Sequence, residues 1–434
     1  DYRGTLYLSD ENMISLGISP GDGREVIVGN QSVSVKILSG TGGKTATLAA
    51  ELTSELARLL LLPPGLTLNI IRYGDKLRFG PLIGILAASY YRERKSFGGQ
   101  DGYFRSLLKY LQSINGFGYV FTHQGLDWNQ GIINGYYLDD RNKWKPATLP
   151  FPNVCYNRYL PNRPGIDSRE TMTRFLQFGV KSFNTPLGSK WNVIKNLSVK
   201  KEIAPYLPGT QMLNSLRTLD SMLSEFGEVY IKALNGHLGK GVIVITKVSN
   251  GYIVKTTSDY RGVLVKGLSQ AFKQSKLNRC LRKMIVQQSI KVMGKNQHFD
   301  VRILIQKDRK NAWQVTGMAA RVGRTGKITT NLHTGGRAES IETILVGRGF
   351  DKRQVILIKA KLEWLSITIA KALEEYTTVL GDLGLDFVID REGKPWFLEA
   401  NPRAGRRAFS GMDRETRRLA AGRPMEYAAY LAGF

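Results

Sequence analysis

The side chains best placed to do chemistry lie near the C-terminus, in Gly384-Leu385-Asp386-Phe387-Val388-Ile389-Asp390 and Trp396-Phe397-Leu398-Glu399-Ala400-Asn401. Each segment reads as a short strand, and Arg391-Glu392-Gly393-Lys394-Pro395 as the turn between them. Strand side chains alternate faces, so Glu399 and Asn401 are expected on one face and Trp396, Leu398 and Ala400 on the other. A hairpin centred on the Glu392-Gly393 step puts Asp386 opposite Glu399, with β-carbons roughly 5 Å apart. Two like charges at that separation need a compensating cation. Magnesium accepts one or two carboxylates alongside substrate phosphates, so Asp386, Glu399 and Asn401 read as a magnesium site.

Further upstream, Lys232 ends the strand Glu228-Val229-Tyr230-Ile231-Lys232 and is followed by Gly236-His237-Leu238-Gly239-Lys240-Gly241. Glycines let backbone N–H groups approach oxyanions and the ammonium acts as a point charge, which suits phosphate. Taken alone this is also the pattern of an ordinary Gly-rich hairpin. Asp300 and Arg302 share a strand face, and Trp313, Val315, Gly317, Ala319 and Arg321 are expected to share one on the next strand. Arg302 and Arg321 converging would stabilise charge on a transferred phosphoryl group; the plainer alternative is a surface ion pair worth little. Gly40-Thr41-Gly42-Gly43-Lys44-Thr45 imitates a P-loop, but a Walker motif needs glycine where Leu38 stands, so it reads as a hairpin turn. His123, His237, His298 and His333 have neither metal-ligand spacing nor an adjacent nucleophile.

At 434 residues the chain needs two or three domains, and its 42% apolar and 23% charged content is that of a globular protein. No apolar run approaches the roughly 18 residues of a membrane span. Cys155 and Cys280 lie far apart and form neither a metal set nor a disulfide framework, which points to a reducing, cytoplasmic compartment. The net charge is +26, with thirteen Lys and Arg from Arg261 to Lys310 and seven arginines from Arg403 to Arg423. Such a surplus attracts polyanions or simply forms a solvated basic face.

Three regions are expected. Residues 1–66 form a β-rich module with strands at Glu25–Val28 and Val33–Leu38 and a helix-like stretch at Leu48–Leu61. Residues 67–165 form a small α/β domain, with a strand over 78–86, a helix at Tyr103–Ser113 and a strand at Gly118–Phe121. Residues 166–434 begin with a helix over Ser168–Phe183 and include strands at Glu228–Lys232, Met284–Gln288, Phe299–Ile305 and Trp313–Arg321. Ile358, Leu362, Leu365, Ile369 and Leu373 recur along one face of a long helix.

The order of these parts (strand lysine, Gly-rich turn, Ile285-Val286-Gln287-Gln288, Asp300-x-Arg302, Asp386, Glu399-x-Asn401) resembles the ATP-grasp superfamily over 168–434. Within it, Phe79–Leu86, Pro152–Arg158, Phe299–Gln306, Thr330–Gly336 and Glu399–Arg403 resemble the endospore coat-associated YheC/YheD type. The resemblance implies an α+β fold whose two lobes clamp Mg-ATP, preceded by an α/β pre-ATP-grasp domain and the β-rich segment. It also implies site roles. Lys190 and Lys232 would contact ATP phosphates, the turn carrying Gly236, Gly239 and Gly241 would be a lid, and Gln287 and Gln288 would lie at the adenine hinge. Asp386, Glu399 and Asn401 would hold Mg²⁺, and Arg302 would steady the phosphoryl group. Many ATP-grasp ligases carry an acidic residue where Gln287-Gln288 stands.

The implied reaction is carboxylate–amine ligation through an acyl phosphate, which depends on positioning and electrostatics and needs no catalytic His, Cys or Ser. Asn331, Arg403 and Arg406 are the substrate candidates, and guanidinium forks suit an acidic acceptor such as a peptide or polymer end. The alternatives are a kinase on the same fold, or a nucleotide-binding structural protein of the spore coat; the compartment implied is the mother-cell cytoplasm or the coat itself. A nucleic-acid partner is motivated by charge alone and ranks last, for want of a recognition motif.

Overall fold

A computed structural model of the chain describes residues 2–40, 48–160, 167–234, 241–257, 259, 261–275, 277, 281–292, 298–324, 330, 335–377, 379–409 and 411–434. The described strands form four sheets. The first has six strands in the spatial order Gly4–Leu8, Gln31–Ser39, Gly23–Val28, Lys76–Gly80, Thr67–Tyr73 and Ala49–Glu51. It therefore runs on to Gly80, past the expected seam at residue 66. The start of the helix-like stretch is this last strand. Thr53 caps the helix Ser54–Leu59 through its side chain, which leaves Ala49–Glu51 free to pair with Thr67–Asn69.

Pro81 has no N–H for a ladder, and it splits the strand expected over 78–86 between two sheets. Leu82–Leu86 lies at the centre of the second sheet, parallel to Phe117–Phe121 and Val154–Asn157. The expected helix over 168–183 is a helix at Ser168–Gln177 and a strand at Lys181–Phe183. Gly179, at φ +75°, turns the chain so that the strand joins the second sheet beside Val154–Tyr156. That sheet therefore also extends past residue 165.

The third and fourth sheets are antiparallel and carry the residues of interest. The third runs Thr210–Met212, Met284–Gln288, Glu228–Ala233, Ile243–Val248, Gly251–Thr256 and Val263–Val265. The fourth runs Arg337–Glu339, Trp313–Val322, Phe299–Lys307, Asp382–Ile389 and Pro395–Asn401. One face of the fourth sheet packs on the helix Lys352–Glu374. The predicted stripe is its core face: Ile358, Leu362, Leu365, Ile369 and Leu373 are all at or below 5% exposure. Each such side chain stabilises the lobe by roughly 1.5–3 kcal/mol, and the result is a rigid floor under the opposite face. The C-terminal helix Arg414–Ala432 runs back to the second sheet, where Met425 and Tyr427 share a core with Ile83 and Phe104. Among the described residues, no helix is long and apolar enough to cross a membrane.

Candidate functional site

Strand register brings the site together on the face of the fourth sheet away from the long helix. Asp386 is paired with Glu399, as the spacing predicted, though the hairpin reaches that pairing differently. From the turn outward, Ile389 faces Pro395 and Phe387 faces Phe397; a bulge at Leu398 then shifts the register by one. Without the bulge Asp386 would face Leu398. The bulge also changes the faces: Phe397 and Ala400 pack on the helix side, while Trp396 pairs with Val388 on the face of Asp386. A second bulge, between Leu304 and Ile305, does the same to the neighbouring strand. Gly317, Ala319 and Arg321 lie on the site face, but Trp313 and Val315 turn to the helix core.

The cross-strand pairs are Arg302 with Asp386 and Asp300 with Arg321. Arg302 grips Asp386 with Nε on Oδ1 and with Nη2 on Oδ2 at 3.0 Å. Arg321 donates to Asp300 at 2.6 and 2.7 Å and reaches Asp386 Oδ2 at 2.9 Å. The two arginines therefore converge on one carboxylate, in a buried network and not in a surface ion pair. Burial pushes the Asp386 carboxyl up against the pull of Arg302 and Arg321, and Glu399 adds to the rise. Burial would also lower the Arg321 guanidinium, but the charges of Asp386 and Asp300 win and raise it.

Lys190, the first residue of the helix Lys190–Ser198, donates from Nζ to Glu399 Oε2 at 2.7 Å, and Asn401 Nδ2 donates to Oε1 at 3.1 Å. Burial would raise the Glu399 carboxyl, yet the Lys190 ammonium beside it holds it well below the usual carboxylate range. Lys232 comes from the third sheet, and its Nζ donates to Gln287 Oε1 at 2.7 Å. Burial lowers the Lys232 ammonium from 10.5 to about 8, against the pull of Glu399. Gln287 points at Lys232 and at Thr210 (3.0 Å), whereas Gln288 lies on the other strand face and accepts from the Gly209 N–H at 3.0 Å. Strand alternation keeps the two glutamines from facing one ligand together.

Four cations (Lys190, Lys232, Arg302, Arg321) thus surround three carboxylates (Asp300, Asp386, Glu399), a surplus suited to a polyanion. The facing carboxylates and the Asn401 amide fit Mg²⁺, a hard cation that takes few protein oxygens and completes its shell with phosphate and water. Among the described residues, no cluster of three or more His, Cys, Asp or Glu side chains offers an all-protein cage.

The substrate candidates go elsewhere. Arg403 Nη2 donates to Ser168 Oγ at 3.2 Å, and Arg406 Nη2 donates to Asp382 at 2.7 Å and to the Tyr103 hydroxyl at 2.8 Å. Sequence reasoning assigned no role to Arg158, Asp382 or Asn184. Arg158 was visible as a charge ending the apolar strand Val154–Asn157, but Asp382 and Asn184 gave no signal. Asn184, at φ +65° and fully buried, donates to the carbonyls of Asp382 and Pro402 and accepts from the N–H groups of Gly381 and Asp382. It locks the start of the Asp386 strand to the loop after Asn401. Gly241 is described, at φ +70°, but Gly236, Gly239 and Asn331 lie outside the described residues.

Two facing antiparallel sheets, with a lysine from one and the carboxylate–amide set on the other, define an ATP-grasp protein of α+β architecture. Residues 179–431 match the YheC/D-like ATP-grasp profile, and the chain belongs to that family. It is 30% identical over 396 residues to the endospore coat-associated protein YheD of Bacillus subtilis (strain 168), covering 88% of this chain and 85% of that one. With the endospore coat-associated protein YheC of the same organism it shares 23% identity over 304 residues, 68% of this chain and 82% of that one. Among solved structures, the VanG D-Ala:D-Ser ligase from Enterococcus faecalis has a similar fold. The TM-score is 0.50 at 12% identity, over 82% of this chain and 99% of that one.

Proposed function

We propose that the chain is an ATP- and Mg²⁺-dependent carboxylate–amine ligase. The observation that carries the reading is the Asp386–Glu399 pair, flanked by Asn401 and Lys190 on one side and by Arg302 and Arg321 on the other. Asp386, Glu399 and Asn401 hold magnesium, which supplies charge neutralisation at the transferring phosphoryl group. Lys190 and Lys232 bind phosphate oxygens, and Gln287 orients Lys232. Arg302 and Arg321, already held in place by Asp300 and Asp386, offer fixed guanidinium charge to the developing transition state and need no reorganisation. The acceptor is an acidic peptide or polymer end and the donor an amine. The names of the two relatives support a place among spore-coat components, in the coat or in the mother-cell cytoplasm.

The test is calorimetric titration of a non-hydrolysable ATP analogue, with and without Mg²⁺, into wild type and Glu399→Gln. Magnesium-dependent binding in wild type that the variant loses, with ADP released when carboxylates and amines are supplied together, is the expected result. A wild type that binds no nucleotide would remove the proposal.

A further inference from the structure

The seam between the second sheet and the loop after Asn401 holds more cationic charge than its carboxylates balance. Asp382 is fully buried and accepts from Arg158 at 3.3 Å, Arg406 at 2.7 Å and Gln306 at 3.4 Å, as well as from the Tyr156 hydroxyl. Arg403 lies beside them. Burial and the like charge of Arg158 lower it to about 10. Asp167 is the other carboxylate near Arg403, and Arg169 already takes it at 2.6 Å. Two guanidiniums therefore share Asp382, and the third, Arg403, has near it only a carboxylate that Arg169 already holds.

Their hydrogen bonding is equally incomplete. Among the described residues, Arg158 Nε, Arg403 Nε, and Arg406 Nε and Nη1 are buried without a hydrogen-bond partner. Buried donors are rarely left so, because the lost hydration goes unreplaced. Arg158, 2% exposed, lies deepest with Asp382, while Arg406 (side chain 15% exposed) and half-buried Arg403 are partly accessible to solvent.

We propose that this seam is an oxyanion subsite in which Arg158, Arg403 and Arg406 bind a carboxylate of the acceptor other than the one that reacts. Planar forked donors match a carboxylate in two-point contact. Asp382 and Asp386 lie on the same face of one strand, so the subsite is roughly 13 Å from the magnesium pair. Gly384 lies between them, covered by Ala404, and Arg158 Nη2 holds the Ala404 carbonyl at 3.2 Å. The acceptor therefore carries two acid groups about four extended residues apart, as an acidic peptide or an oligomer of that reach does. This deepens the ligase reading and rests on it for the reacting end; the anion subsite itself stands on its own geometry.

The experiment titrates the full chain with glutarate, and separately with inorganic phosphate, against chloride at constant ionic strength. Thermal unfolding and calorimetry are the readouts. Saturable glutarate binding that Arg403→Gln weakens by at least about tenfold, and that Arg403→Lys partly restores, supports the subsite. Glutarate behaving like chloride, or binding Arg403→Gln as well as wild type, overturns it. Saturable phosphate binding with glutarate inert overturns the carboxylate assignment in favour of a phosphorylated ligand. The nucleotide titration described above reads the other site, so glutarate binding without nucleotide binding would sink the ligase reading and leave the subsite standing.

Discussion

Lys232 offers a prediction in which binding and stability move in opposite directions. Its ammonium is partly buried and lowered by desolvation from 10.5 to about 8, with Gln287 Oε1 as its hydrogen-bond acceptor at 2.7 Å. At about 1.4 kcal/mol per tenfold, the charged form costs the empty protein about 3 kcal/mol. The folded pKa lies below the unfolded one, so this cost is full below pH 8 and fades as pH rises from 8 to 10.5, where the unfolded chain binds more protons. Lys232→Met removes the cost but leaves Gln287 Oε1 unpaired, a loss of about 1 kcal/mol. The variant should therefore be about 2 kcal/mol more stable than wild type at pH 7 in urea melts, and the difference should shrink toward pH 10. Nucleotide binding should run the other way. Phosphate needs the ammonium, so above pH 8 binding takes up a proton and Kd rises about tenfold from pH 7 to pH 9. Calorimetry in buffers of different ionisation enthalpy counts that proton directly. A Kd that is flat across this range, or the same proton uptake in Lys232→Met, would refute the reasoning.

Two further outcomes follow from the same face. Asp386→Asn leaves Arg302 and Arg321 buried against a neutral amide, and breaking such a pair should destabilise the lobe by about 3–5 kcal/mol in denaturant melts; a loss under about 1 kcal/mol would mean the arginines find other partners. A β-carbon at Gly384 would overlap that of Ala404 and crowd Arg302 Nη1 at 3.2 Å. Gly384→Ala should therefore cost about 1–3 kcal/mol and weaken glutarate binding by shifting the loop that carries Arg403 and Arg406, and unchanged glutarate affinity would contradict that coupling.

Much of the site was legible in order and spacing. The lysine near the end of an apolar strand and Asp300-x-Arg302 lie where local alternation puts them, whereas Glu399 faces Asp386 only through the bulge at Leu398. The stripe of the long helix was equally plain, since a 3.6-residue period survives any tertiary context. The two bulges were not visible. Each inserts one residue and reverses the faces beyond it, which is why Trp396 joined the site face while Trp313 and Val315 left the one predicted for them.

The sequence alone determined the family and the elements that carry the candidate site, because strand and helix periodicity and short-range charge spacing are local properties. Only the tertiary structure decided the partners across long separations. Arg158 and Asp382 are 224 positions apart, Lys190 and Glu399 are 209 apart, and Asn184 ties Asp382 to Pro402. Such contacts depend on how separate sheets close on one another; the arginine run from Arg403 was visible in the sequence, but its meeting with Arg158 and Asp382 was not.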